Sequence, residues 1–213
     1  GVNARAASGG GGGASGIAGP SGNVGHETLA GNGGSGVVII RYHIGSVTAA
    51  KATGGSITSY APTSPSPMAG KTVHVFTASG TFTNTSGSPI TGASFLAVGG
   101  GGGGAGTNES SDGAAGGGAG GVLSNHADVP APLQVGFAAI GTSPYTVTVG
   151  AGGRAGAFGT PTNPQTDGAP GTRSTFGSAV AASGGGGGSI GAGEDGEDGG
   201  SGGGSSGGGS AGN

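Results

Sequence analysis

The sequence predicts an all-β protein: a small sandwich or jelly-roll-like body with long glycine-rich loops and essentially no helix. Glycine accounts for 61 of the 213 residues, and glycine inside a helix costs roughly 0.8–1 kcal/mol relative to alanine. β-branched and aromatic residues gather in short runs that end in glycine blocks, and no stretch has the 3.6-residue period of an amphipathic helix. We expect part of the glycine loops to be polyproline II-like.

The strongest strand signal lies in residues 72–83. Val73, Val75 and Phe76 stand among threonines, Ser79-Gly80 can turn the chain, and alternation then resumes. This pattern predicts a strand, a turn and a second strand. Because His74 alternates with Val73 and Val75, we expect it on the opposite face.

Later segments repeat the order of strand followed by glycine. The run at 95–98 ends in six consecutive glycines, residues 99–104. Residues 145–149 alternate, which predicts Tyr145, Val147 and Val149 on one face and threonines on the other. Shorter strands are predicted at 137–140, 174–177 and 179–181.

Residues 36–42 form the second strong strand signal. Val37, Val38, Ile39 and Ile40 are four consecutive β-branched residues, which favours a strand buried on both faces. Arg41 and Tyr42 would end it close to solvent.

We divide the chain into three parts: residues 1–42, a glycine loop plus the strand at 36–42; residues 43–70, a Ser/Thr/Pro connector; and residues 71–213, the main glycine-rich β domain. Pro62, Pro65 and Pro67 make the connector extended, although 56–60 has the pattern of a short strand.

Near the start, glycine recurs at every third residue between 16 and 25. That period fits both a packed polyproline II helix and a flexible linker.

Composition excludes several classes of protein. A net charge of −3 gives no basic footprint for nucleic acid or an anionic membrane, and no apolar run is long enough to span a membrane. The chain has no cysteine and therefore no disulfide or thiolate chemistry. It opens at Gly1 without methionine, which we interpret as a processed product, an excised fragment or one repeat of a longer chain.

No residue pattern indicates catalysis, a cofactor or a metal. The four histidines, at 26, 43, 74 and 126, lack metal-type spacing. The acids Glu194, Asp195, Glu197 and Asp198 could offer oxygens to calcium, but they do not fit a known calcium loop, and a solvated acidic turn is favoured. We expect no enzyme activity.

The stretch from Val73 to Phe82 resembles the opening of the glycine-rich domain found in phage tail-fibre and bacterial surface proteins. Four further pieces follow in the same order: residues 95–98 with their glycines, 145–153, 174–177 and 184–188. The family typically closes with a segment like residues 33–42. The resemblance implies an all-β, fibre-associated module without known catalysis, and it assigns no site residues.

The order of these pieces departs from the family, because the closing segment comes first here. Three explanations fit: one repeat cut from a tandem array, a circular permutation that closes on itself, or a strand that completes the next subunit. Under the third, the assembly strand is formed by Val37, Val38, Ile39, Ile40 and Tyr42.

The sequence therefore predicts a structural and adhesive module of an extracellular fibre, in a virion tail or on a cell surface. We expect it to assemble with itself and to contact host surface glycans, with no nucleic acid partner and no membrane insertion. The alternative is a subunit of an extracellular filament joined by strand complementation without a receptor role. An ice-binding polyglycine bundle is a third class, weakened by the few threonine-rich faces.

Overall fold

The computed structural model describes residues 1–17, 27–45, 49–107, 113–126, 128–136, 139–159, 164, 166–178, 180–190, 193–207 and 209–213. The strands are Gly16–Ile17 (β1), Glu27–Thr28 (β2), Val37–His43 (β3), Ala52–Thr53 (β4), Ser56–Ser59 (β5), Lys71–Phe76 (β6), Gly80–Asn84 (β7), Ile90–Thr91 (β8), Ser94–Val98 (β9), Val122–Ser124 (β10), Ala139–Ile140 (β11), Tyr145–Thr148 (β12), Ser174–Phe176 (β13) and Val180–Ala182 (β14). A 3-10 turn at Ala131–Leu133 is the helical structure in these ranges.

Two five-stranded antiparallel sheets form the body. Sheet 1 has the order β10-β9-β3-β6-β5 and sheet 2 the order β14-β13-β12-β7-β4. The chain crosses between the sheets twice near one edge, from β4 to β5 and from β6 to β7. Gly54 and Gly55 make the first crossing with φ of +109° and +64°, a region that side chains other than glycine rarely adopt.

The apolar core lies between the two sheets and is built from alternate residues of their strands. Phe82, Val147 and Phe176 of sheet 2 are fully buried. An edge-to-face contact connects Phe82 to His74 of sheet 1, with ring centroids 5.0 Å apart, and a second one joins Phe82 and Phe176 within sheet 2 at 5.6 Å. The all-β prediction is confirmed, and so is the alternation in β12, where Val147 is buried and the neighbouring threonines are exposed.

The glycine segments form an ordered bundle instead of loose loops. Residues 99–107, the central segment, follow β9 directly and are all buried, although none has a side chain larger than threonine. Six ring segments surround it: residues 9–15, 31–36, 113–121, 150–159, 166–172 and 183–190. Most of them extend a strand of one of the two sheets, so the bundle continues the sandwich.

Contacts along the central segment repeat every three residues. A Cβ added to Gly100, Gly103 or Gly106 would lie 1.8–2.0 Å from carbonyl oxygens of the same ring segment, residues 150–159. A three-residue turn is that of the polyproline II helix, and the central glycines have no left-handed φ. The central segment is thus a threefold extended helix.

Backbone hydrogen bonds hold the central segment on every side. Each N–H from Gly99 to Gly106 donates to a ring carbonyl, and its carbonyls accept from the other ring segments, with N to O distances of 2.8–3.2 Å. Neighbouring ring segments also bond to one another, and this closes the ring. Backbone pairing therefore satisfies the buried polar groups of a region that has almost no side chains.

The prediction at residues 16–25 falls mostly on residues 18–26, outside the described ranges. The strand predicted at 137–140 is described only at Ala139–Ile140, which pairs with β8.

Candidate assembly site

The predicted assembly residues lie in β3, the central strand of sheet 1. Val38, Ile40 and Tyr42 point into the core and are at most 1% exposed. Ile39 points to the outer face and is half-buried. Two details of the prediction are corrected: β3 is not fully buried on both faces, and Tyr42 lies in the core instead of near solvent.

Tyr42 is buried because its hydroxyl finds partners there. The Nδ1–H of His74 donates to the Gly54 carbonyl at 2.7 Å, which leaves Nε2 free to accept from the Tyr42 hydroxyl at 3.0 Å. The backbone N–H of Lys51 donates to the same hydroxyl at 3.1 Å. His74 faces away from Val73 and Val75, as predicted.

Burial sets the ionisation of this pair. It lowers the pKa of His74 below the usual 6.5, with the Gly54 carbonyl opposing the shift. Burial likewise raises the pKa of Tyr42. A neutral imidazole therefore connects β3 to β6 and to the β4–β5 crossing.

Residues 1–43 supply the central strand of sheet 1 and two of the six ring segments. β3 pairs with β9 on one side and with β6 on the other. Residues 9–15 and 31–36 contribute two of the six ring segments. Removing residues 1–43 would split sheet 1 into β10-β9 and β6-β5 and would open the ring on one side. The boundaries at 42 and 70 stay predictions.

The outer face of sheet 1 is less well covered than the inner face. A groove of about 260 Å³ on this face is lined by Ile39, Arg41, Val73, Leu96 and their neighbours. Arg41 Nη2 donates to the Ser94 hydroxyl at 3.2 Å. The lining combines apolar residues with the polar side chains of Arg41, Ser94, Ser124 and His126.

The acidic residues at 194–198 bind backbone amides at the edge of the bundle. Asp195 Oδ1 accepts from the N–H of Ser210 at 2.6 Å and Asp198 Oδ1 from the N–H of Asn213 at 2.7 Å. Glu197 accepts from the Gly187 N–H at 3.2 Å. Carboxylates here take the place of the carbonyls that a further glycine segment would provide.

This role was not anticipated from the sequence. The signal for it is the repeat Glu-Asp-Gly at 194–199, which has the three-residue period of the bundle. Asn32 acts in the same way, with its Oδ1 accepting from Ala155 N–H at 2.7 Å, as does Thr166 toward Ala157 at 2.8 Å.

The described histidines do not form a cluster. His43 is exposed and His126 lies beside Asp128 at 3.3 Å, while His26 is outside the described residues. The described ranges contain no group of three or more His, Cys, Asp or Glu residues placed to hold a metal ion. Nor does their helical structure include a segment with the length and apolar character of a membrane-spanning helix.

Comparison with known proteins identifies one family. A search of curated proteins found no match, and a search of solved structures also found none. A family model described as a glycine-rich domain matches residues 77–213, well over half of the chain. The matched range contains the central segment and four of the six ring segments, so the chain belongs to the glycine-rich domain family.

Proposed function

We propose that this protein is a structural module of an extracellular fibre. The observation that carries the proposal is the buried central segment, whose backbone is bonded to six neighbours that also bond to one another. Such a bundle extends both sheets of the sandwich as one hydrogen-bonded unit. A load along the chain is then shared by many backbone bonds, as a mechanical module requires.

Composition supports a mechanical role over a catalytic one. The protein has 7% charged residues and 4% aromatic residues, so few side chains are present to recognise or convert a substrate. Order comes from backbone pairing, which depends little on side-chain chemistry. As part of the same proposal, the module belongs to a virion fibre or a cell surface, and the resemblance of its sequence to phage tail-fibre domains supports that location.

Adhesion to host surface glycans is the second part of the proposal. The bundle presents Arg154 on an exposed threefold column, and Arg173, directly after residues 166–172, is also exposed. Guanidinium groups are suited to hydrogen bonding with sugars.

Ice binding receives less support, although the polyglycine bundle itself is present. The exposed column of residues 151, 154 and 157 contains an arginine in place of a regular threonine row. The hydroxyls of Thr166 and Thr172 already accept from the backbone of residues 150–159. A measurement of thermal hysteresis would separate this class from a fibre module.

Assembly of the purified protein tests the fibre proposal. Sedimentation velocity and negative-stain electron microscopy across the micromolar range should show concentration-dependent polymers with a regular axial repeat. A monomer throughout that range would contradict the proposal. Binding to a glycan array by assembled protein tests the adhesive part separately.

A further inference from the structure

We propose that residues 1–43 form an exchangeable segment, which in the assembled fibre completes a second copy of this chain instead of its own. The inference rests on the proposed function and names the contact that would join its subunits. The surface that receives the segment is the gap between β9 and β6, together with the open side of the glycine ring.

The gap accepts one particular kind of partner. It needs a strand that can pair on both edges, with large apolar side chains at alternate positions facing sheet 2. Val38, Ile40 and Tyr42 meet this need, and the hydroxyl of Tyr42 reaches His74 Nε2. Pairing extends over six positions against β6 and five against β9.

The same partner must also supply glycine segments that fit the open side of the ring. Gly12 donates to Gly102 at 2.8 Å, and Gly101 donates to Gly34 at 2.9 Å. A Cβ on Gly11 would lie 1.9 Å from the Gly117 oxygen, and one on Gly33 would lie 2.0 Å from the Gly101 oxygen. An unrelated apolar strand could fill the sheet but not the ring. A second copy supplies both pieces on one segment.

The connection between the segment and the rest of the chain begins at an exposed glycine. After Ile44, whose N–H donates to the Gly70 carbonyl at 2.8 Å, the chain leaves the core at Gly45. Gly45 is exposed, has a φ of +69° and has open space around it. Residues 45–51 can span about 25 Å when extended, at about 3.3–3.6 Å per residue.

Energetics do not oppose the exchange. The contacts that β3 and residues 9–15 and 31–36 make within one chain can be made with another chain, so the two forms differ mainly in connector conformation and concentration. Donor and acceptor surfaces are different, and the contact is therefore head-to-tail. Such contacts give open filaments unless their rotation closes a ring.

Paired cysteines can show which chain supplies β3. Ile39 and Val75 are direct cross-strand partners on the outer face, and both are half-buried. Opposed residues have Cα atoms about 4.5–5.5 Å apart, within the range of a disulfide. The natural chain has no cysteine, so only the introduced thiols react. The matched control is Ser56 with Val75, a pair within β5 and β6 that exchange would leave in one chain.

Assembled I39C/V75C protein is oxidised and analysed on non-reducing gels. The proposal predicts a ladder of covalent oligomers for I39C/V75C and a monomer band for S56C/V75C. A single I39C variant can form dimers at most, so a ladder requires both sites. If I39C/V75C does not fold, I39C/L96C replaces it, because Leu96 is the partner of Ile39 on β9.

Failure of the exchange and failure of the fibre function give different results. Sedimentation of the same samples before oxidation reports assembly independently of the crosslinks. Polymers that contain only intramolecular I39C/V75C crosslinks overturn the exchange and leave the fibre proposal standing. A monomer with intramolecular crosslinks overturns both.

Discussion

Replacing Gly102 by alanine tests the packing of the central segment with a single methyl group. A Cβ on Gly102 would lie 2.0 Å from the oxygen of Gly186, whereas ordinary contacts begin near 3.4 Å. The two segments would have to separate by about 1.4 Å. Backbone forms both sides of this contact, so no side chain can rotate away.

The energetic cost follows from that separation. Overpacking of a tight interior costs about 1–3 kcal/mol. Moving residues 183–190 also stretches the bonds that Gly185 and Gly188 donate to the central segment, each worth about 1 kcal/mol. We expect a total loss of about 3 kcal/mol. In a chain of this length that lowers Tm by about 6–12 °C, at about 2–4 °C per kcal/mol.

Gly136 provides the matched control. It is exposed, a Cβ there would meet nothing within 4 Å, and its φ is not left-handed. Gly136→Ala should be neutral or stabilising by about 0.4–1 kcal/mol, because alanine reduces the freedom of the unfolded chain. Thermal and chemical denaturation of both variants gives the comparison. Equal stability of Gly102→Ala and Gly136→Ala would refute the packed bundle.

Three further outcomes follow from the structure. Burial keeps His74 neutral in the fold, whereas in the unfolded chain its imidazole binds a proton near pH 6.5. The contribution of His74 to the free energy of unfolding is therefore present above pH 6.5 and is lost below it, by up to about 1.4 kcal/mol per pH unit. Tyr42 is the titratable group that contacts it, and His74→Gln should flatten the pH dependence of unfolding between pH 7 and 5.5; a slope equal to that of the natural chain would contradict this. Asp195→Ala should speed hydrogen exchange of the Ser210 amide about fivefold, which is the factor for a hydrogen bond of about 1 kcal/mol. Asp195→Asn keeps the accepting oxygen and should keep the slow rate. Equal exchange rates in the two variants would exclude a hydrogen bond from Ser210 to this side chain. Far-UV circular dichroism should show less than about a tenth helix, against about a third in typical globular proteins.

Side-chain patterns made the sheets predictable. β-branched runs and alternation located β3, β6, β7, β9 and β12, because each strand has one face in the core. The end of β3 was misjudged, since the sequence does not reveal that Tyr42 would meet His74 and the Lys51 amide across the sheet. Polar partners that come from distant parts of the chain leave no local signal.

The glycine bundle was harder to predict for a physical reason. Glycine segments carry no side chains, so neither their partners nor their register is encoded in an apolar or polar pattern. A flexible loop and a packed polyproline II helix have the same composition, so the sequence is compatible with both interpretations for the glycines near the start of the chain. The three-residue period becomes visible where side chains reappear, as in the Glu-Asp-Gly repeat at 194–199.

Amide hydrogen exchange of residues 100–106 tests the central claim most directly. Bonded amides in a packed core exchange only through global unfolding, whereas amides in a loose loop exchange through local motion at almost no cost. The structure predicts that these seven amides, each donating to a ring carbonyl, exchange as slowly as those of β3 and with the same dependence on denaturant. Exchange of residues 100–106 at the rate of an unstructured peptide, while β3 stays protected, would contradict it.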